Sequence, residues 1–347
     1  MLTDLTSTVI EGKALDQAAV RRASAALLDE SQPAHAKTDF LRALARKGET
    51  AEEIAAFVGE FLKRAVKPPL DISTLDRPAI DVCGTGGDKL GLFNISTTSM
   101  FILAACQVAV VKHGNRGITS ASGSADVLEA LGVRIDLPPA AFAECVKRTG
   151  LGFMLAPNYH PAFKAVAPLR KILAAEGSRT VFNIMGPLLN PVQPPFQLAG
   201  VFEPALVRTY GQIFLQLGRI RAWAVHGTTS DGEGMDEMST LGPSHIAKIE
   251  HGRLVEETVP RPARFGDGSL NQLAGGGPQV NAEIVDGIMR SEVQGPKRDI
   301  AILNAGAALV VAGVAEHLEA GCAQADEALA SGAAASTLDR WRGFSAF

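Results

Sequence analysis

From Ala79 onward the chain alternates short apolar runs with helical patterns, and this alternation constrains the fold more than any other feature. Ala79 to Cys83, Val108 to Val111, Phe153 to Ala156, Leu198 to Phe202 and Ala222 to Val225 are the predicted strands. Segments 95–106, 122–131, 139–149 and 204–217 are the helices expected between them. Strand, loop and helix repeated in this way build a mostly parallel sheet with helices packed on it, so the fold class is α/β. Ligands of such sheets bind outside the carboxyl ends of the strands. Two glycine-rich loops, Gly84 to Asp88 and Lys112 to Arg116, and a later loop from His226 to Glu237 all fall there.

The first 66 residues follow a different rule and read as helical throughout. Thr50 is placed to cap a helix with Glu53 reaching back to it, and Ile54, Phe57, Val58, Phe61, Leu62 and Ala65 then mark one apolar face. That face requires a buried partner. Lys67-Pro68-Pro69 stops the helix, because a proline disfavours helical geometry in the residue before it. The expected organisation is a small helical domain over 1–67 and an α/β domain over 75–347, with the proline-broken segment around 170–190 crossing back to the helical domain. Residues 245–259 read as a hairpin turning at His251-Gly252, Gly275 to Pro278 as a flexible joint, and 297–313 and 323–332 as alanine-rich helices.

Charge and composition remove several function classes. The net charge is −4 and the pI about 6.0, with two Trp and two Tyr in 347 residues, which leaves neither a basic footprint nor stacking platforms for nucleic acid. Cys83, Cys106, Cys145 and Cys322 are widely spaced and form no Cys-x-x-Cys pair, so reduced thiols and a cytoplasmic setting are expected. The start of the chain lacks a signal-peptide pattern, and the longest apolar runs, such as Met100 to Val111, are too short to span a bilayer.

The loops carry the chemistry. Gly84-Thr85-Gly86-Gly87-Asp88 lets backbone approach a ligand closely, although an ordinary tight turn would look the same. Asn94 to Ser99 offers side chains that cap the following helix and free N–H groups that bind an anion. Lys112-His113-Gly114-Asn115-Arg116 gathers two cations, an imidazole and an amide beside Ser120, Ser122 and Ser124, where a merely solvated loop is the alternative. Asp236-Glu237 suits Mg²⁺, which takes one or two protein carboxylates and completes its shell with water and phosphate oxygens. Arg170 is a natural fork for a carboxylate, against the alternative of a surface ion pair, and His160 precedes a helix start near Pro161.

Taken together, Gly84 to Asp88, Asn94-Ile95-Ser96-Thr97, Lys112 to Arg116 and Asp236-Glu237-Met238-Ser239 resemble the anthranilate phosphoribosyltransferases in order and spacing. The resemblance continues through Ala156 to His160, Arg170, Phe182 to Pro187 and Gly295 to Asp299, and so spans nearly the whole chain. It implies a fold of the nucleoside phosphorylase and phosphoribosyltransferase type, with a helical domain that forms a homodimer and substrates that meet in the cleft between domains. It implies transfer of the phosphoribosyl group of 5-phosphoribosyl 1-pyrophosphate (PRPP) to anthranilate in L-tryptophan biosynthesis, with about two Mg²⁺ per subunit. Carried over by position, Gly84, Gly87, Asp88, Asn94, Ile95, Ser96, Thr97, Lys112, His113, Gly114, Asn115, Arg116, Gly117, Ile118, Thr119, Ser120 and Ser124 would hold PRPP. Gly84, Asn115, His160 and Arg170 would meet anthranilate; Ser96, Asp236 and Glu237 would serve the metal. Catalysis would rest on positioning and electrostatics, with Lys112 contributing but no single catalytic residue.

Two features depart from the family pattern. Leu92 stands where a hydroxyl residue is usual before Phe93-Asn94, and the loop from Thr228 to Gly234 is longer than usual. The other enzyme of related fold is a pyrimidine nucleoside phosphorylase, which would lack the Lys-His-Gly-Asn-Arg loop and the need for Asp236-Glu237. A silent, nucleic-acid-binding relative would need a basic surface, which the pI opposes.

Overall fold

The computed structural model describes residues 2–117 and 121–345. Ile118, Thr119 and Ser120 of the expected PRPP loop lie outside the described residues. The chain divides into two compact units, Met1–Lys67 with Ala156–Pro191, and Pro68–Leu155 with Val192–Phe347.

The first unit is helical. Helices Leu2–Ile10, Gln17–Leu28, Ala34–Lys47 and Ala51–Leu62 are joined by helix Ala167–Ala175 and shorter turns on either side of it. The capping box at Thr50 forms as the sequence requires: its hydroxyl accepts from the Glu53 N–H at 3.2 Å, and the Glu53 carboxylate accepts from the Thr50 N–H at 2.9 Å. A cap of this kind contributes about 1 kcal/mol. Glu53 also receives Lys47 at 2.7 Å and the Leu15 N–H at 2.8 Å, so a buried carboxylate is fully satisfied.

The apolar face of this helix finds its partner in the returning segment. Ile54, Phe57 and Val58 are fully buried, and the Phe61 ring packs 4.9 Å from Phe163 and 5.9 Å from Phe182. The return begins at Ala156, earlier than the expected 170, because Phe163, the Tyr159 carbonyl (accepting from the Val66 N–H at 2.8 Å) and Glu176 (paired with Arg42) all belong to this unit.

The second unit is built on one sheet. Its strands are β1 Ala79–Gly84, β2 Ala109–Gly114, β3 Leu151–Leu155, β4 Phe196–Gly200, β5 Arg221–Thr228, β6 Gly234–Met235, β7 Ser244–Glu250 and β8 Arg253–Val259. Their order is β3-β2-β1-β4-β5-β7-β8, with β6 paired to β5. The first five are parallel and the last three antiparallel. All five strands expected from apolar runs are present, and β7 and β8 form the expected hairpin with His251 and Gly252 at positive φ of 50° and 71°. The sheet is therefore mostly parallel, with an antiparallel margin. Its order reverses between β1 and β4, the switch point at which open α/β sheets take their ligands.

Helix Ile95–Ala105 runs through the interior and is buried on nearly every side, from Thr97 to Ala104. Helices Pro296–Val311 and Ala333–Ser345 pack against it. Helices Ala333–Ser345 and Pro278–Met289 are not among those expected from sequence, and the second begins directly after the glycine run read as a joint. Among the described residues no helix is long and apolar enough to cross a membrane. The cysteines are free thiols.

Candidate functional site

The glycine loop after β1, the N-terminus of helix Ile95–Ala105 and the Asp236-Glu237 pair meet at the switch point. Gly84 and Gly200 end β1 and β4 side by side in register, and the Thr85 N–H donates to the Gly200 carbonyl at 2.9 Å. Asp236 lies across both. A Cβ at Gly200 would stand 1.5 Å from the Asp236 carbonyl oxygen, and a Cβ at Gly84 would stand 2.4 Å from its carboxylate. The Gly86 N–H donates to Asp236 Oδ2 at 2.6 Å, and the Ser96 N–H donates to Glu237 Oε1 at 3.2 Å. Two backbone donors, one from the loop and one from the helix terminus, thus aim the adjacent carboxylates into the same place.

The long loop before Asp236 resolves into order. Gly234–Met235 pairs with Gly227 and Thr228 of β5, and the Thr229 and Glu233 backbones close the turn at 2.9 Å. A two-residue strand is too short to give an alternating sequence signal, so β6 is invisible in the sequence. Behind the pair, buried Asn304 of helix Pro296–Val311 clamps the Met238 backbone: its Oδ1 accepts the Met238 N–H at 2.9 Å and its Nδ2 donates to the Met238 carbonyl at 3.0 Å. Asn304 is not legible from sequence, because nothing local marks a residue that acts 66 positions away.

Burial first, then the facing Asp88 carboxylate, push Asp236 above the usual carboxylate range. Burial and Asp236 do the same to Glu237, with Lys112 opposing. Half-buried carboxylates that repel one another in this way suit a divalent cation, which removes both penalties. Among the described residues no group of three or more His, Cys, Asp or Glu side chains closes into a metal cage. A pair with the Ser96 hydroxyl nearby leaves several positions for water and phosphate oxygens, the coordination that Mg²⁺ keeps in phosphate sites. The residues present therefore fit Mg²⁺.

Lys112, in β2, is buried: its Nζ donates to the Val82 carbonyl and to Ser96 Oγ at 3.2 Å, so its charge lies directly beneath the helix terminus. His113 is also buried, and Ile95 and Thr97 have buried side chains. Asn94 precedes the helix without a side-chain cap bond, contrary to the expectation that side chains here cap it. Asp88 Oδ1 accepts the Leu90 N–H at 3.2 Å, and Gly86 and Gly87 take φ of 67° and 88°. Leu92 is held by a bridge to Ala274, while the Gly275 N–H donates to the Gly91 carbonyl at 2.8 Å.

The second loop is drawn onto the helix that follows it. Arg116 is committed to Asp126 at 3.1 Å and Glu129 at 2.7 Å, both on helix Ser124–Ala130. Asp126 also accepts the N–H groups of Gly117 at 2.8 Å and Gly123 at 2.9 Å, folding the two ends of the loop together. Asn115 Oδ1 accepts the Arg116 N–H at 2.8 Å, and Ser124 Oγ donates to the Asn115 carbonyl at 3.4 Å.

His160 and Arg170 belong to the helical unit. Arg170 is half-buried, burial alone lowers its pKa, and no carboxylate among the described residues pairs with it, so it is not the surface ion pair weighed above. His160 is buried, with Nε2 2.7 Å from the Leu189 carbonyl, which fixes the proton on that nitrogen. Burial lowers its pKa, and the Leu189 bond opposes this in part. A histidine depressed in the folded state stabilises fully above its unfolded value near 6.5 and loses that contribution as pH falls toward its folded value. Thermal melts of His160→Asn between pH 7 and pH 5 are therefore expected to show a shallower fall in Tm than wild type. An equal slope would remove His160 from the acid response.

The sequence matches the family described as "Glycosyl transferase family, a/b domain" over residues 76–335. It is 43% identical over 345 residues to the anthranilate phosphoribosyltransferase of Natronomonas pharaonis, covering 99% of both chains. It is 42% identical to that of Moorella thermoacetica, covering 97% of this chain and 96% of the relative. The chain belongs to the anthranilate phosphoribosyltransferase family. Its fold matches the crystal structure of the anthranilate phosphoribosyltransferase from Thermus thermophilus with a TM-score of 0.88, 36% identity and coverage of 99% of this chain and all of that one. The Saccharomyces cerevisiae anthranilate phosphoribosyltransferase in complex with PRPP and Mg is 23% identical, with a TM-score of 0.87 over 99% of this chain and 98% of that one, and shares the fold. The sequence signal for the loops lies in short contiguous words, whereas Asn304 and Asp126 act through the tertiary fold.

Proposed function

We infer that this chain transfers the phosphoribosyl group of PRPP to the amino group of anthranilate, giving N-(5-phosphoribosyl)anthranilate and pyrophosphate in L-tryptophan biosynthesis. The observation that carries this reading is the seat of Asp236 across the ends of β1 and β4, beside the Gly86 N–H and the N-terminus of helix Ile95–Ala105.

In this reading Gly84, Gly87, Asp88, Asn94 to Thr97, the loop from Lys112 to Ser120, and Ser124 hold PRPP. Asp236 and Glu237, with the Ser96 hydroxyl, hold Mg²⁺, which when bound neutralises charge on the departing pyrophosphate. As the C1 bond to pyrophosphate breaks, positive charge grows on the ribose and negative charge on the leaving group. The helix N–H groups and buried Lys112, already oriented through Ser96, stabilise that negative charge without reorganising. Arg170 takes the anthranilate carboxylate, and His160, Asn115 and Gly84 are the other residues assigned to anthranilate. The aromatic amine is a free nucleophile at neutral pH and needs no strong base before attack. Two Mg²⁺ per subunit, a homodimer through the helical unit and a cytoplasmic setting complete the proposal.

Pyrophosphate release from PRPP in the presence of anthranilate tests the reading. Phosphorolysis of thymidine or uridine, with no turnover of PRPP, would favour a pyrimidine nucleoside phosphorylase instead. Glu237→Gln keeps the shape and removes the charge. It is expected to raise the Mg²⁺ concentration for half-maximal rate by at least about tenfold, the lower end of what even outer-sphere changes produce. An unchanged metal requirement would take Glu237 out of the metal site.

A further inference from the structure

Asn281 lies in helix Pro278–Met289, which the sequence does not announce, yet it is buried and joined to the proposed PRPP loop. Its Oδ1 accepts the Gly276 N–H at 2.7 Å. Its Nδ2 donates to Asn94 Oδ1 at 2.8 Å. Asn94 in turn directs its Nδ2 toward the second loop, where it makes a long bond of 3.4 Å to the Ser122 carbonyl.

The direction of this chain is dictated by its first member. A backbone N–H only donates, so the end of Asn281 that faces Gly276 must be the oxygen. The other end is then the NH₂ group, and the atom of Asn94 facing it must accept. Asn94 is left with its NH₂ group toward the second loop, on the side of the Ser122 carbonyl, and NH₂ is the end that suits a phosphate oxygen.

We propose that Asn281 is a positioning residue for donor binding: it fixes the orientation of the Asn94 amide, so that Asn94 presents hydrogen-bond donors, not its carbonyl oxygen, to the phosphates of PRPP. The proposal rests on the phosphoribosyl reading given above. Asn281 touches no substrate and acts through Asn94 alone.

Asn281→Asp is the informative change, because it keeps the size and the acceptor for Gly276 but turns the donor facing Asn94 into an acceptor. Asn94 then satisfies the carboxylate by rotating its NH₂ group inward, and its carbonyl oxygen faces the phosphates. Isothermal titration calorimetry with PRPP and Mg²⁺, together with steady-state kinetics, reads the effect. Asn281→Asp is expected to weaken PRPP binding at least about tenfold, as loss of a hydrogen bond to a charged group requires, while KM for anthranilate stays within about twofold. Asn281→Ala, which frees Asn94 without reversing it, should weaken binding less, even if its Tm falls further. In an Asn94→Ala background Asn281→Asp should change PRPP affinity by less than about twofold, because the coupled partner is gone. Wild-type PRPP affinity in Asn281→Asp, or an equal loss with and without Asn94, overturns the relay. A wild-type protein that binds no PRPP overturns the phosphoribosyl reading, and the relay with it.

Discussion

Gly200→Ala is expected to lower kcat about a hundredfold, the scale of effect that a misplacement of about 1 Å produces. The added Cβ would stand 1.5 Å from the Asp236 carbonyl oxygen and 3.1 Å from its Cα, so one backbone must move. The end of β4 cannot move easily, since Gly200 is in register with Gly84 on one side and Val225 on the other. The Asp236-Glu237 segment is the part that shifts, carrying both carboxylates away from the Gly86 and Ser96 N–H groups. The Mg²⁺ concentration for half-maximal rate should rise together with the loss of kcat, and Tm should fall, because the clash is with backbone. Gly266→Ala, where a Cβ meets nothing within 4 Å, is the matched control and should behave as wild type. Steady-state kinetics over a Mg²⁺ series checks both variants. A Gly200→Ala protein with normal kcat and metal requirement would show that the carboxylates do not depend on this seat.

Arg170→Ala is expected to raise KM for anthranilate by about 10- to 100-fold, the worth of a hydrogen bond between charged groups. KM for PRPP should change far less. The guanidinium is one that burial has made costly to keep charged, with no carboxylate among the described residues to compensate it. In the proposed reading an anionic substrate would supply that partner. Arg170→Lys keeps the charge but not the planar fork, and should recover only part of the loss. Equal losses for both substrates would remove Arg170 from the carboxylate role.

Much of this fold was legible because its signals are local. The apolar runs at β1 to β5 and the capping box at Thr50 are each written in consecutive residues, and each forms. What sequence could not supply depends on long-range geometry. β6 has two residues and no period. The start of the returning segment at Ala156 is set by where Phe163 packs, not by a break in the pattern. The same division runs through the candidate site. Gly84 to Asp88, Lys112 to Arg116 and Asp236-Glu237 declare themselves as words, but their relations do not. That Arg116 would be held by Asp126 and Glu129, and that Asn281 and Asn304 would fix Asn94 and Met238, follows only from the tertiary fold. Gly200 illustrates the point best, since an isolated glycine at the end of an apolar run gives no hint of the Asp236 backbone lying against it.

The measurement that bears most directly on the central claim is the fluorescence of anthranilate incubated with the purified protein, with and without PRPP and with and without Mg²⁺. Loss of the anthranilate signal is expected only when PRPP and Mg²⁺ are both present. Anthranilate that persists under every one of these conditions would contradict the account.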